Sequence, residues 1–221
     1  MNSLSKKCSV ALLGALLGLL SISAAQGQIT IGVNPFASTS DALGVNEIGG
    51  SNPGLGETFT VPANNPVLNS FSLYATTDYN AAAGLNASLY QWSPTNSAPV
   101  GNAVWSSGTF QTVPGSNSST PVLLTFATGG VPLNPADSYI LEFNAYNSAL
   151  ITGTPALFYV PTATYANGLL VAFGSNTYYP TTGSNLDFTA NFTPTPEPST
   201  WTLLWGSLGL LAFWRRRTFR A

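Results

Sequence analysis

Residues 186–193 alternate strictly, with Leu186, Phe188, Ala190 and Phe192 on one side and Asp187, Thr189, Asn191 and Thr193 on the other. Successive side chains of a β-strand point to opposite faces, so this stretch makes one apolar and one polar face. The same period-two pattern sets Tyr139, Leu141, Phe143 and Ala145 against Ile140, Glu142, Asn144 and Tyr146. Between residues 28 and 193 no stretch sustains the roughly 3.6-residue period of an amphipathic helix. Further strands are predicted over 57–61, 67–75, 85–92, 103–111, 122–127, 157–160 and 169–173. Turn formers such as Asn64-Asn65-Pro66, Pro114-Gly115-Ser116, Gly129-Gly130 and Asn134-Pro135 separate them. Roughly nine strands at this spacing predict two packed antiparallel sheets, and the expected fold is an all-β, jelly-roll-like β-sandwich. Segments 94–101 and 114–121 read as long hairpin or Greek-key loops, and no internal repeat calls for a propeller or a β-helix.

Charge narrows the chemistry available to such a body. The six basic residues lie only at the ends, as Lys6, Lys7, Arg215, Arg216, Arg217 and Arg220, there is no His, and all eight acids lie between them. Charged residues make up only 6% of the chain and hydrophobic ones 44%, so the polar surface must come from Ser, Thr, Asn and Gln. Neutralising phosphates takes cationic side chains, so the body is not expected to bind nucleic acid. With no His, Lys, Arg or Cys in the body, Ser-His-Asp and Cys-His catalysis, lysine Schiff bases and His- or Cys-built zinc sites are excluded. Two carboxylates about 5–10 Å apart would still suffice for a glycoside hydrolase, but the acids are scattered singly and spacing names no pair. Calcium needs only oxygen ligands, for instance around Asp78 and Asn80 or at Asp137; no EF-hand spacing is present, and no cofactor is expected.

The two ends carry separate signals. Lys6 and Lys7 precede an apolar run from Val10 to Leu20 and the small residues Ser23, Ala24, Ala25 and Gly27, the three regions of a signal peptide over 1–27. Signal peptidase would cut after Ala25 or Gly27, and Cys8, the only cysteine, would leave with the signal helix. At the other end, prolines at 194, 196 and 198 hold the chain extended. The segment 201–214 then contains no charge and is followed at once by Arg215, Arg216 and Arg217. Sixteen residues from Ser199 would span roughly 24 Å as a helix, slightly short of a hydrocarbon core of about 30 Å. Trp201, Trp205 and Trp214 suit the interfaces, and the arginines mark the cytoplasmic end of a single transmembrane helix, which places the body outside. The expected division is a signal peptide at 1–27, a β-sandwich domain at 28–193 and a tail at 194–221.

The order Pro196-Glu197-Pro198, apolar helix, arginine cluster at the chain end resembles the PEP-CTERM sorting signal, with Thr195 where the commoner form has valine. The segments 57–62, 68–73 and 87–92 also look like β-sandwich domains common among such exported proteins. The resemblance implies recognition of Pro196, Glu197 and Pro198 by an exosortase, which removes the helix and basic end. A membrane-anchored intermediate would then pass to the cell surface or an extracellular exopolysaccharide matrix. The sorting triplet is a substrate motif and supplies no catalyst.

Within the body, Tyr90 and Trp92 share a strand face opposite Leu89, and with Trp105 they are the candidates for stacking against sugar rings. Aromatic residues in strands are more often core, which weighs against that reading. The functional expectation is a non-enzymatic structural or adhesive surface protein. A carbohydrate-binding module is the first alternative and a two-carboxylate glycoside hydrolase the second.

Overall fold

A computed structural model describes residues 27–33, 44–48, 54–77, 82–108, 111–113, 121–146, 153–162, 165–174 and 177–195. The signal segment before Gly27, the sorting triplet, the apolar run and Arg215, Arg216 and Arg217 lie outside the described residues. The strands belong to a compact unit, Gln28–Thr195. Among the described residues there is no helix long and apolar enough to cross a membrane.

One sheet contains β1 (Ile29–Gly32), β2 (Gly44–Glu47), β4 (Val67–Thr77), β8 (Val122–Pro132), β10 (Pro155–Val160), β13 (Asn185–Leu186) and β14 (Phe188–Thr193). Its order is β1-β14-β4-β10-β13, with β8 also on β4 and β2 also on β10. The second sheet contains β3 (Gly54–Thr60), β5 (Ala83–Ser93), β6 (Ala98–Ser106), β7 (Gln111–Val113), β9 (Ser138–Tyr146), β11 (Leu170–Gly174) and β12 (Thr177–Thr181). Its order is β12-β11-β3-β9-β5-β6, with β7 also on β5. Every pairing among the described residues is antiparallel.

The described residues thus form an all-β sandwich, and the alternation read from the sequence decides what lies between the sheets. Leu55 and Phe59 on β3, Leu141 and Phe143 on β9, Phe71 and Leu73 on β4, and Phe188 and Phe192 on β14 belong to one buried cluster. Rings meet across the gap: Phe59 and Phe192 have centroids 5.9 Å apart, and Phe71 and Phe143 are also 5.9 Å apart, at 65°. The first pair is tilted at 58° and the second edge-on; such geometry suits the ring quadrupoles and adds about 0.5–1.5 kcal/mol per pair beyond burial.

Several boundaries differ from the sequence reading, each for a local reason. Gly129 and Gly130, expected to end a strand, lie inside β8 with φ of 75° and 86°. Near them the β4–β8 register shifts between Leu68 and Ser70, so the glycines make a bulge and the strand continues. The loop expected over 94–101 closes sooner, and β6 already begins at Ala98. The single strand expected over 103–111 is two, because β6 ends at Ser106 and β7 begins at Gln111. β12 contains Pro180 and stands at a sheet end, where a missing N–H breaks no ladder. The run 186–193 splits at Asp187: Leu186 pairs with Tyr159 of β10, and Phe188 pairs with Leu73 of β4.

Candidate functional site

Three carboxyl side chains are buried among the described residues, on Glu57, Glu142 and Asp187. A buried carboxylate is costly unless paired or hydrogen-bonded, and this body contains no cation to pair with it. Where each carboxyl points therefore separates structural from functional roles.

Glu57 points into the sandwich, on the same face of β3 as Leu55 and Phe59. Its Oε1 accepts from Asn185 Nδ2 and its Oε2 from the Leu186 backbone N–H, both at 2.7 Å, so it joins β3 of one sheet to β13 of the other. Burial pushes its pKa up to about 8, against the opposing pull of those two hydrogen bonds. The turn carrying Tyr165 and Gly168 closes over it: a Cβ on Gly168 would stand 2.6 Å from Oε1, so only glycine fits. With both oxygens satisfied inside the core, Glu57 is a structural tie.

Glu142 leaves the opposite side of the same sheet. It sits on β9 with Ser88 of β5 on one flank and Gly56 of β3 on the other. A side-chain hydrogen bond joins it to Tyr178, while among the described residues its Oε1 has no hydrogen-bond partner. Burial holds the Glu142 carboxyl above the usual carboxylate range. The Tyr178 hydroxyl is raised first by burial, and then by the charge and hydrogen bond of Glu142 and by Tyr90.

Aromatic residues surround this carboxyl. Trp92, Ile140 and Val171 form a small buried cluster on this outer face, with Tyr90 and Tyr178 packed against it. The Trp92 ring reaches Tyr178 at a centroid distance of 5.9 Å and 73°, and Phe173 stacks on Tyr178 at 5.4 Å and 30°. Glycines at the centre of the sheet make room for this: a Cβ on Gly54 would fall within the Phe173 ring, and one on Gly56 would stand 3.0 Å from Ile140 Cδ1. The result is a half-buried platform of rings with one unmatched carboxyl oxygen among them. The half-buried rings of Tyr90 and Tyr178 offer stacking to a hydroxylated ring, while the unmatched Glu142 oxygen is closed off from solvent.

The structure brings Tyr90 and Trp92 together and separates Trp105 from them. Trp92 is only 5% exposed, and Tyr90 is half-buried. Trp105 pairs with Leu89 and lies edge-on against Phe71, with centroids 5.5 Å apart, on the core side of the sheet. Glu142 and Tyr178, absent from the sequence-based candidates, complete the cluster. Their signal was the shared parity of Glu142 and Ile140, which becomes informative only once β9 is known to lie beside β5.

Of the loop acids, Asp137 accepts from Gln91 Nε2 and from Asn134 Nδ2, each at 3.1 Å, and stands as a turn residue. Asp78 and Asn80 lie outside the described residues. No group of three or more His, Cys, Asp or Glu side chains converges among the described residues. Glu57 and Glu142 leave opposite faces of one sheet, so these two do not confront each other across a cleft.

No protein-family model matches the chain, and no curated protein does. Among solved structures it is similar to a clostridial cysteine protease, Cwp84, after propeptide cleavage, at 10% identity and a TM-score of 0.47, over 76% of this chain and 40% of that one. The cysteine protease and lectin-like domains of Cwp84 from Clostridium difficile match at 12% identity and 0.45, over 72% and 37%. The infectious bursal disease virus Gx strain structure matches at 16% and 0.32, over 78% and 41%. The chain spans about two-fifths of the length of these structures.

Proposed function

We propose that the chain is an exported, non-enzymatic surface protein, with a jelly-roll-like body delivered by a PEP-CTERM-type tail to the cell surface or an exopolysaccharide matrix. The observation that carries this reading is the order Pro196-Glu197-Pro198, uncharged run, Arg215-Arg216-Arg217 at the chain end, opposite a basic and apolar leader. Signal peptidase and an exosortase are the processing partners it requires, with a transient membrane helix between the two steps. The body agrees with it in two respects. It carries no Lys, Arg, His or Cys, so the common nucleophilic and metal chemistries are missing from its composition. The chain also crosses repeatedly between the sheets, from β3 to β4 to β5 and from β8 through β11, as a jelly roll does.

Mass spectrometry of the protein recovered from the exterior of its native host tests this reading. The expected N-terminus is Gln26 or Gln28, and the expected C-terminus lies at the Pro-Glu-Pro region with the apolar run lost. Recovery of external chain with Arg215 still attached would overturn it.

A second reading, carbohydrate binding by the outer face of the β5–β9–β3–β11–β12 sheet, is favoured by the half-buried rings of Tyr90 and Tyr178 packed against Trp92 on that face. Affinity electrophoresis of the full chain through exopolysaccharide should show retardation. Tyr90→Ala should weaken it about tenfold, in line with the roughly 1.5–3 kcal/mol that covering an aromatic side chain contributes. Trp105→Ala should instead lower the unfolding midpoint, since that ring faces Phe71. Equal retardation of the parent and Tyr90→Ala would remove this reading.

A further inference from the structure

Strand β8 stands at a margin of its sheet. Its inner neighbour β4 is flanked on the other side by β14 and β10, and among the described residues no strand lies beyond β8. Hydrogen bonds further in show which way its main-chain groups point. The Tyr74 N–H donates to the Asp187 carbonyl at 3.4 Å, toward β14, so Tyr74 and Leu123 form a pair that is not hydrogen-bonded. The Phe188 carbonyl accepts from the Val33 N–H at 2.8 Å, which turns Phe188 away from β4 and leaves Leu73 to bond Leu124 of β8. Both observations set the same alternation: Leu123, Thr125 and Ala127 direct their N–H and C=O groups to the open edge. Among the described residues no main-chain bond beyond the β4 ladder involves them.

An open edge is a template for another strand unless it is short, bulged, charged or interrupted by proline. The other margins are blunted in these ways. β12 contains Pro180, β1 and β2 are four residues each, and in β6 residues 101–104 bulge out against Tyr90 alone. β8 keeps unbroken register with β4 from Val122 to Ala127, without a charge or a proline in that stretch. The side chains at its open positions are exposed, Leu123 at 52%. They also fit a copy of themselves. With a two-fold axis at Thr125, Leu123 of one copy meets Ala127 of the other, large against small, and Thr125 meets Thr125. Leu124 and Phe126, which face the core, would meet in the same way and carry the apolar layer across the junction. None of the acids of the body lies on β8, so two acidic bodies meet here without opposed charges.

We propose that β8 pairs antiparallel with β8 of a second copy, about a two-fold axis at Thr125, so that one sheet runs through both bodies. The contact is smaller than the roughly 1,200 Å² of a standard interface and forms where copies are concentrated. Each copy folds without it, so dilute melts do not report it. Disulfide trapping in the full chain tests the register, with Cys8→Ser removing the one native thiol. Facing residues of a hydrogen-bonded pair have Cα atoms about 5.5 Å apart, within the roughly 4.4–6.8 Å of a disulfide. Under mild oxidation Thr125→Cys should give covalent dimer at least tenfold faster than Val104→Cys, whose side chain is 47% exposed on β6. The tail is the same in both, so its own association does not separate them. In sedimentation equilibrium, Thr125→Lys and Thr125→Glu should each weaken association at least tenfold, and an equal mixture of the two should restore it. Equal trapping at 125 and 104, unchanged association of Thr125→Lys, or a mixture no better than its components would each overturn the proposal. So would a parent chain that stays monomeric at every concentration, the result for an edge that takes a foreign strand.

Discussion

Stability of the protein should fall as the pH rises from about 4.5 to about 8, and Glu57→Gln should remove a large part of that fall. The unfolded chain releases the Glu57 proton near the ordinary value of 4.5, whereas the folded protein keeps it to about 8. Between those values the native state binds more protons than the unfolded state, so each step up in pH favours unfolding. The stabilisation is complete below 4.5 and is lost by the time the pH passes 8. At about 1.4 kcal/mol per unit, the contribution is on the order of 5 kcal/mol. Asp187, raised by burial to about 7, and Glu142, also raised by burial, act in the same sense. A glutamine at position 57 does not titrate, but it sets an N–H against either Asn185 Nδ2 or the Leu186 N–H. The variant should therefore be the less stable protein at pH 4.5 and approach or overtake the parent by pH 8. Denaturant melts at half-unit pH intervals measure this, and parallel profiles for the two proteins would show that Glu57 is not the residue responsible.

Phe71→Ala should cost about 3–5 kcal/mol, the range for removing a large ring from a core that cannot collapse around the gap. Phe71 is fully buried and, among the described residues, touches three rings: Phe126 at 5.1 Å and 17°, Trp105 at 5.5 Å and 87°, and Phe143 at 5.9 Å and 65°. Two of these partners belong to the opposite sheet, so the truncation loosens the contact between the layers as well as the packing within one. Leu123→Ala is the control, because this side chain is 52% exposed and its loss should change stability by no more than about 0.5 kcal/mol. Guanidinium midpoints at constant slope give both values. A loss below about 1 kcal/mol at Phe71 would mean that the sheets do not rely on that cluster.

Parity within a strand was the legible part of the fold. The alternation at 186–193 and 139–146 places Phe188, Phe192, Leu141 and Phe143 in the core, and the opposite parity puts Tyr90 and Trp92 on one outer face. Parity is silent about neighbours. Nothing near Asp187 in the chain announces that Leu186 pairs with β10 and Phe188 with β4, since aspartate suits the polar side of an unbroken strand equally well. Gly129-Gly130 read as a stop because glycine pairs commonly end strands, yet positive φ at both residues serves a bulge. Sequence alone leaves the register of Trp105 open, so nothing in it separates this ring from Tyr90 and Trp92. A shift between Leu89 and Gln91 in the β5–β6 ladder turns it toward Phe71. Glu142 and Tyr178 join Trp92 only through β9 and β12, strands distant in sequence that meet β5 through tertiary pairing alone or reach over the sheet to it.

The antiparallel pairing of β1 with β14 sets Ile29 opposite Phe192, so the first and last strands of the body run out side by side. A mechanical load pulling those two ends apart would meet their hydrogen bonds one after another, as in unzipping, and such a contact yields at low force. A load entering through a ligand on either outer face and leaving along β14 takes another route. It is carried by the longer ladder from Phe188 to Thr193 against β4, itself gripped on its far side by β8. The two ladders thus differ in direction of strength: a pull that parts β1 from β14 meets less resistance than one along β14 against β4.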